Sequence, residues 1–183
     1  MRILNQVRII AVALACTALA MTITTTEAAP VRAHAASRFE LTPTATPGVF
    51  TDMADGPAQV SLLGNCTLHA DQVVTLPAAP DQPILIKGKW RFTSADGTTT
   101  LDAETEGTGT PDPTNPSFVN IHYELKFTGG TGQMANARGR AEVDVVAMFT
   151  SATGGTGTVF LTGNVSTHRH DDQEDRNHDH QDR

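Results

Sequence analysis

From Val119 to Phe127 the chain reads VNIHYELKF, and Val119, Ile121, Tyr123, Leu125 and Phe127 alternate with Asn120, His122, Glu124 and Lys126. This period of two puts the apolar side chains on one face of a strand and the polar ones on the other. The pattern recurs. Ala141, Val143, Val145, Ala147 and Phe149 share a face, and so do Val159, Leu161 and Val165, with Gly163 between. Ile84, Ile86, Trp90 and Phe92 form another face, and Val60, Leu62, Cys66 and Leu68 one more. Turn signals fall between the runs at Asp55-Gly56-Pro57, Asp96-Gly97, Pro111 to Pro116, Gly129-Gly130 and Gly154-Gly155. Short strands punctuated in this way predict an all-β fold, an antiparallel sandwich or barrel.

One hairpin can be read in register. Asp96-Gly97 is a two-residue loop signal of the type I′ kind. Arg91 then faces Asp102, Lys89 faces Glu104 and Lys87 faces Glu106, while Phe92 meets Leu101 and Trp90 meets Ala103 on the opposite face. Asp102, Glu104 and Glu106 on one strand face could serve acid–base chemistry or hold calcium. Each has a basic partner across the ladder, so they read as a solvated row of cross-strand ion pairs.

The two ends differ from this middle. Residues 1–8 carry Arg2 and Arg8, an apolar run follows from Ile9 to Ile23, and small-residue patterns come next at Thr26-Glu27-Ala28 and Ala33-His34-Ala35. That order is the order of a secretory signal peptide, and the run is short of the roughly 20 residues a membrane span needs. A lipoprotein reading at Cys16 would cleave inside the apolar run. Residues 1–35 are therefore expected to be a signal peptide, and the protein to be secreted or periplasmic. Cys66 would then be the one remaining cysteine, with no partner for a disulfide. At the other end residues 167–183 read THRHDDQEDRNHDHQDR, a composition that cannot offset its ordering entropy and predicts a disordered tail. His168, His170, His178 and His180 within it, interleaved with carboxylates, are candidate ligands for zinc, nickel or copper; no other cofactor is expected. One domain remains, residues 36–166. It carries seven Lys and Arg against thirteen Asp and Glu, and this acidic balance disfavours nucleic acid as a partner. His69 and His122 fall on polar faces, and no catalytic side chain stands out.

The stretch FTGGTGQMANARGRAE, residues 127–142, contains the spacing G-x-G-x-x-A. A phosphate-binding loop needs a helix directly after the glycines, yet the chain continues into the alternating Ala141-Glu142-Val143-Asp144-Val145. The glycines read as turn residues. The letters TGGTG recur at 153–157, which predicts two reversals and a meander of three strands.

As a turn, the run from Gly129 through Gly130, Gly132, Met134 and Arg138 to Gly139 resembles the GGTGxFxxARG signature of dirigent proteins and allene oxide cyclases, with Met134 where the family has Phe. Leu63-Gly64-Asn65, Phe92 to Gly97 and Phe160 to Val165 add looser likeness to small secreted bacterial proteins of that superfamily, over residues 58–166. The resemblance implies a closed antiparallel β-barrel of about eight strands around an apolar cavity. Arg138 would anchor the motif loop. In such a barrel Trp90, Phe92, Val119, Ile121, Tyr123, Leu125 and Phe127 are the expected cavity lining. The function expected first is the binding of a small apolar ligand. The alternatives are an isomerase, cyclase or dirigent-type guiding protein, and a structural envelope protein whose barrel is filled solid.

Overall fold

The computed structural model describes residues 28–79 and 82–167. The apolar run from Ile9 to Ile23, expected to belong to a signal peptide, and the four tail histidines lie outside the described residues. Eight antiparallel strands run in simple order: β1 (Ala29–Pro43), β2 (Val49–Val60), β3 (Gly64–Thr75), β4 (Ile84–Ser94), β5 (Thr100–Pro111), β6 (Phe118–Gly130), β7 (Ala137–Phe149) and β8 (Gly154–Thr167). Each pairs with the next, and β8 returns to pair with β1, so the sheet closes into a barrel.

Closure fixes what each face can hold. Inward positions are mostly apolar, and Phe92, Leu101, Leu125, Phe127, Val143 and Val165 are almost completely buried. Outward positions carry charge. Lys87 pairs with Glu106 at 2.7 Å, and Arg91 grips Asp102 through Nε at 2.7 Å and Nη2 at 3.2 Å. This is the register read from the sequence, with Lys89 opposite Glu104 and Trp90 opposite Ala103. A lipid-facing barrel wears an apolar band on its outside; here these ion pairs stand on the outer face.

Several local expectations are corrected. Strand β1 starts at Ala29, not at residue 36, and buries Val31 and Ala35. The folded unit therefore includes residues that the sequence reading gave to the leader. Asp55-Gly56-Pro57 is no turn but the middle of β2. A Cβ on Gly56 would sit 1.9 Å from the Ala36 carbonyl oxygen, so glycine is there for a close strand approach. The β1–β2 ladder skips Gly56 and Pro57, as the missing proline N–H requires. Val60 and Leu62 belong to β2 and its turn, whereas Cys66 and Leu68 lie on β3. The β4–β5 connection is not type I′, because Gly97 alone takes positive φ (73°) and Asp96 does not. Instead Asp96 accepts from the Ser94 hydroxyl at 2.6 Å, the Thr98 amide at 3.0 Å and the Thr98 hydroxyl at 2.9 Å. The two TGGTG copies also differ. In the second, the residues from Gly154 to Gly157 lie within β8 and none has a positive φ.

The first copy shapes one end of the barrel. Opposite Asp102 the β5–β6 ladder slips by one residue, a bulge that ends β6 in Gly129 and Gly130. Gly132 then turns the chain at φ 57° into a short 3-10 turn, Gly132–Met134. Arg138 Nη1 donates to the Thr128 carbonyl at 2.6 Å and the Ala137 carbonyl at 2.7 Å, tying the loop to its own strands. Met134 is 4% exposed and joins the core cluster, so it stoppers this end. Met134→Asp is expected to cost about 2–5 kcal/mol by burying an unpaired charge, to be measured as a shift in denaturant midpoint. An unchanged midpoint would show that the loop end opens freely.

Candidate functional site

The barrel is solid at the end stoppered by Met134 and hollow at the other. A cavity of about 90 Å³ opens toward the loops that follow β1, β3, β5 and β7, and Trp90, Val119, Ile121 and Tyr123 line it. Phe92, Leu125 and Phe127 do not. They share the inward face but sit in the solid half, with at most 1% exposure. Alternation identifies a face; it says nothing about depth along the barrel axis. Phe39, Leu41, Leu76 and Phe149 stand at the rim, where Phe39 and Phe149 meet edge to face at 5.0 Å. The cavity has room for a handful of waters or for the end of a small ligand.

The sequence reading missed the polar part of this cavity. Asp52 on β2 and Gln72 on β3 are cross-strand partners, and both line the cavity. The Gln72 amide is satisfied at both ends in one orientation: Nε2 donates to Asp52 Oδ2 at 3.1 Å, and Oε1 accepts from Trp90 Nε1 at 2.7 Å. The Tyr123 hydroxyl oxygen lies 3.3 Å from the end of the amide that faces Asp52. In that orientation it meets a donor, and its own proton is unspent. Tyr123 is held by Trp90, whose ring it meets at 5.4 Å and 66°. Glycine makes the room. A Cβ on Gly107 would lie 2.4 Å from Tyr123 Cδ1, and one on Gly88 would lie 2.7 Å from Gln72 Cα.

Asp52 Oδ1 has no hydrogen-bond partner and is closed off from solvent. Burial disfavours the charge and raises the Asp52 carboxyl to about 6 from 3.8. It lines the cavity with Ser37 and Leu41 of β1, Gln72 of β3, Trp90 of β4 and Tyr123 of β6, and it also borders a second concavity with Glu40, Asp71, Lys87 and Lys89. Of the cavity's own groups, burial pushes the Tyr123 hydroxyl further above its ordinary range. Among the described residues lining the cavity there is no Lys, Arg or His.

The other candidates are accounted for by their neighbours. His69 lies between Asp55 (Nδ1 to Oδ1, 2.6 Å) and Asp71 (Nε2 to Oδ2, 3.2 Å). Its pKa is raised, chiefly by the bond to Asp55, and both ring nitrogens are taken. His122 pairs with Asp144 at 2.9 Å and is raised mainly by that bond. The two histidines stand on β3 and β6, which are not neighbours. Among the described residues no three His, Cys, Asp or Glu side chains gather to hold a metal. Cys66 is buried, and burial raises its thiol pKa. A wider concavity of about 1080 Å³, lined by Lys87, Glu104, Glu106, Glu124, Arg140 and Glu142, is an outer-face saddle of charged side chains.

The raised Asp52 carboxyl makes a sign-specific prediction. The folded state holds the proton more tightly than the unfolded chain, so the cost of the buried charge is absent below about pH 4 and complete above about pH 6. Asp52→Asn is expected to raise stability near neutral pH by up to about 3 kcal/mol, the worth of a two-unit shift. The gap to the parent should close toward pH 4. Thermal melts of both proteins across that range check it, and a pH-independent gap would mean that Asp52 is not the titrating group.

No protein-family model, curated protein or solved structure matches the chain.

Proposed function

We propose that this protein binds a small, mainly apolar molecule in the hollow end of its barrel. One observation carries the reading: a largely apolar cavity that holds a single cluster of convergent polar atoms, the arrangement by which ligand sites combine affinity with orientation. The resemblance of residues 129–139 to the dirigent and allene oxide cyclase signature points the same way. A barrel filled solid for structural purposes accounts for the Met134 half alone.

A second reading has its own observation. Asp52, with its carboxyl raised to about 6, and the Tyr123 hydroxyl meet at Gln72. A proton acceptor near neutrality beside a hydroxyl donor suits an isomerase or cyclase acting on such a ligand.

Native mass spectrometry of protein purified from its own host tests the first reading. An added mass of a small organic molecule is expected, and it should be absent from Ala147→Phe, which fills the cavity wall. An unliganded parent that binds nothing from a host extract would overturn it. If the retained molecule is converted by the parent and held unchanged by Asp52→Asn, the enzyme reading prevails.

Export completes the proposal. Cleavage after Ala28 leaves Ala29 as the first residue of β1, whereas cleavage after Ala35 would remove Val31, Ala33 and Ala35 from the core. The exported protein should therefore begin at Ala29, as read by its intact mass. A start at residue 36 would contradict the strand assignment.

A further inference from the structure

We infer that the cavity is built for a ligand with a cationic ammonium head on a short apolar stem, a small lipophilic amine. The inference rests on the binding reading and adds the chemistry of the head group.

The argument starts from hydrogen bonds left over. Trp90 Nε1 is spent on Gln72 Oε1, and the Gln72 amide nitrogen is spent on Asp52 Oδ2. Asp52 Oδ1 remains, a buried acceptor with no donor. Leaving such an atom unpaired is costly, the more so for a charged group. A ligand that brings a donor recovers that cost on binding, and a small turn of the Asp52 side chain at the rim would admit it.

Charge then selects among donors. The cavity holds one carboxylate and, among its described lining residues, no basic side chain. A ligand carboxylate or phosphate would meet an uncompensated like charge in a poorly solvated site. A hydroxyl would satisfy Oδ1 and leave the charge unbalanced. An alkylammonium, protonated up to about pH 10 as lysine is, does both at once. The bond it forms is charge-assisted and stronger than a neutral one. The wall adds a second preference of the same sign. Trp90 and Tyr123 line the cavity, and aromatic rings, tryptophan most of all, attract cations. The remaining wall, including Ala54, Val74, Ile86, Val145 and Val159, is aliphatic and suits a short hydrocarbon stem.

Binding should also depend on pH in one direction. A cation held against Asp52 favours the ionised carboxylate, so protons and ligand compete for it. Affinity should fall as the solution is acidified through the range in which Asp52 takes up its proton.

The test uses three probes with one stem and different heads: hexylamine, hexanol and hexanoate. Trp90, the sole tryptophan, reports binding by fluorescence, with calorimetry alongside. Hexylamine is expected to bind about tenfold or more tighter than hexanol at about pH 7.5, the worth of a charge-assisted bond, and hexanoate weakest. The amine preference should shrink toward about pH 5 in the unmodified protein, where Asp52 is neutralised. It should vanish in Asp52→Asn. Hexanol or hexanoate binding as tightly as the amine would overturn the assignment of the head group and leave the binding reading standing. An amine preference unchanged in Asp52→Asn would place the cation elsewhere and overturn it too. If none of the three probes binds, the head-group assignment falls, and the host-extract experiment decides the binding reading.

Discussion

A barrel of eight strands has an interior only as wide as its side chains can fill, and that fixed width governs the rest of this molecule. Bulk on one strand is met by its absence on the next at two inward positions: Tyr123 stands over Gly107, and Gln72 beside Gly88. In the half beyond them Phe92, Phe127, Leu101 and Leu125 are buried in one core cluster, with Met134 closing the end. Where the inward residues become Ala54, Ala70, Ala147 and Gly157, the filling stops and the cavity begins. The hollow end is thus a matter of residue size at particular inward positions, within one continuous ladder of strands.

The polar cluster depends on the same geometry. Asp52 follows the inward parity of Ala54, Ala58 and Val60, so the strand aims its carboxylate at the cavity. Cross-strand pairing delivers Gln72 beside it, and Gln72 joins it to Trp90 and Tyr123. Four strands contribute one side chain each. None of these groups is held by a flexible loop, so the cluster is arranged before any ligand arrives, which lowers the ordering cost of binding.

The sequence disclosed this fold unevenly, for physical reasons. Strands β4 to β8 were legible because large apolar residues such as Ile121, Leu125 and Phe127 mark their inward faces. Strand β1 was not, since its inward Ala33 and Ala35 are small and lie where the small-residue pattern reads as a cleavage site. In β2 the letters Asp55-Gly56-Pro57 mimic a turn, while their real duty is a close approach to Ala36. The charge ladder of β4 and β5 was legible to the residue, because three oppositely charged pairs allow one register. Alternation put Trp90 and Tyr123 on the inward face, though not at a depth along the barrel. Asp52 and Gln72 could not, because a pattern that assigns polar residues to solvent hides the ones that point inward. Their parity with buried alanines was the available signal.

The pairing of β1 with β8 joins Ala29 to Val165, the first residue of the sheet to one of the last. Such a seam has the longest loop to close of any contact in the barrel, and non-local pairing of this kind makes folding slow. As a chain emerges N-terminus first, β1 keeps one edge unpaired until β8 is there to meet it. Until that moment the cylinder is an open sheet. The order of strands thus doubles as a timing device: the vessel cannot be sealed before its last stave arrives.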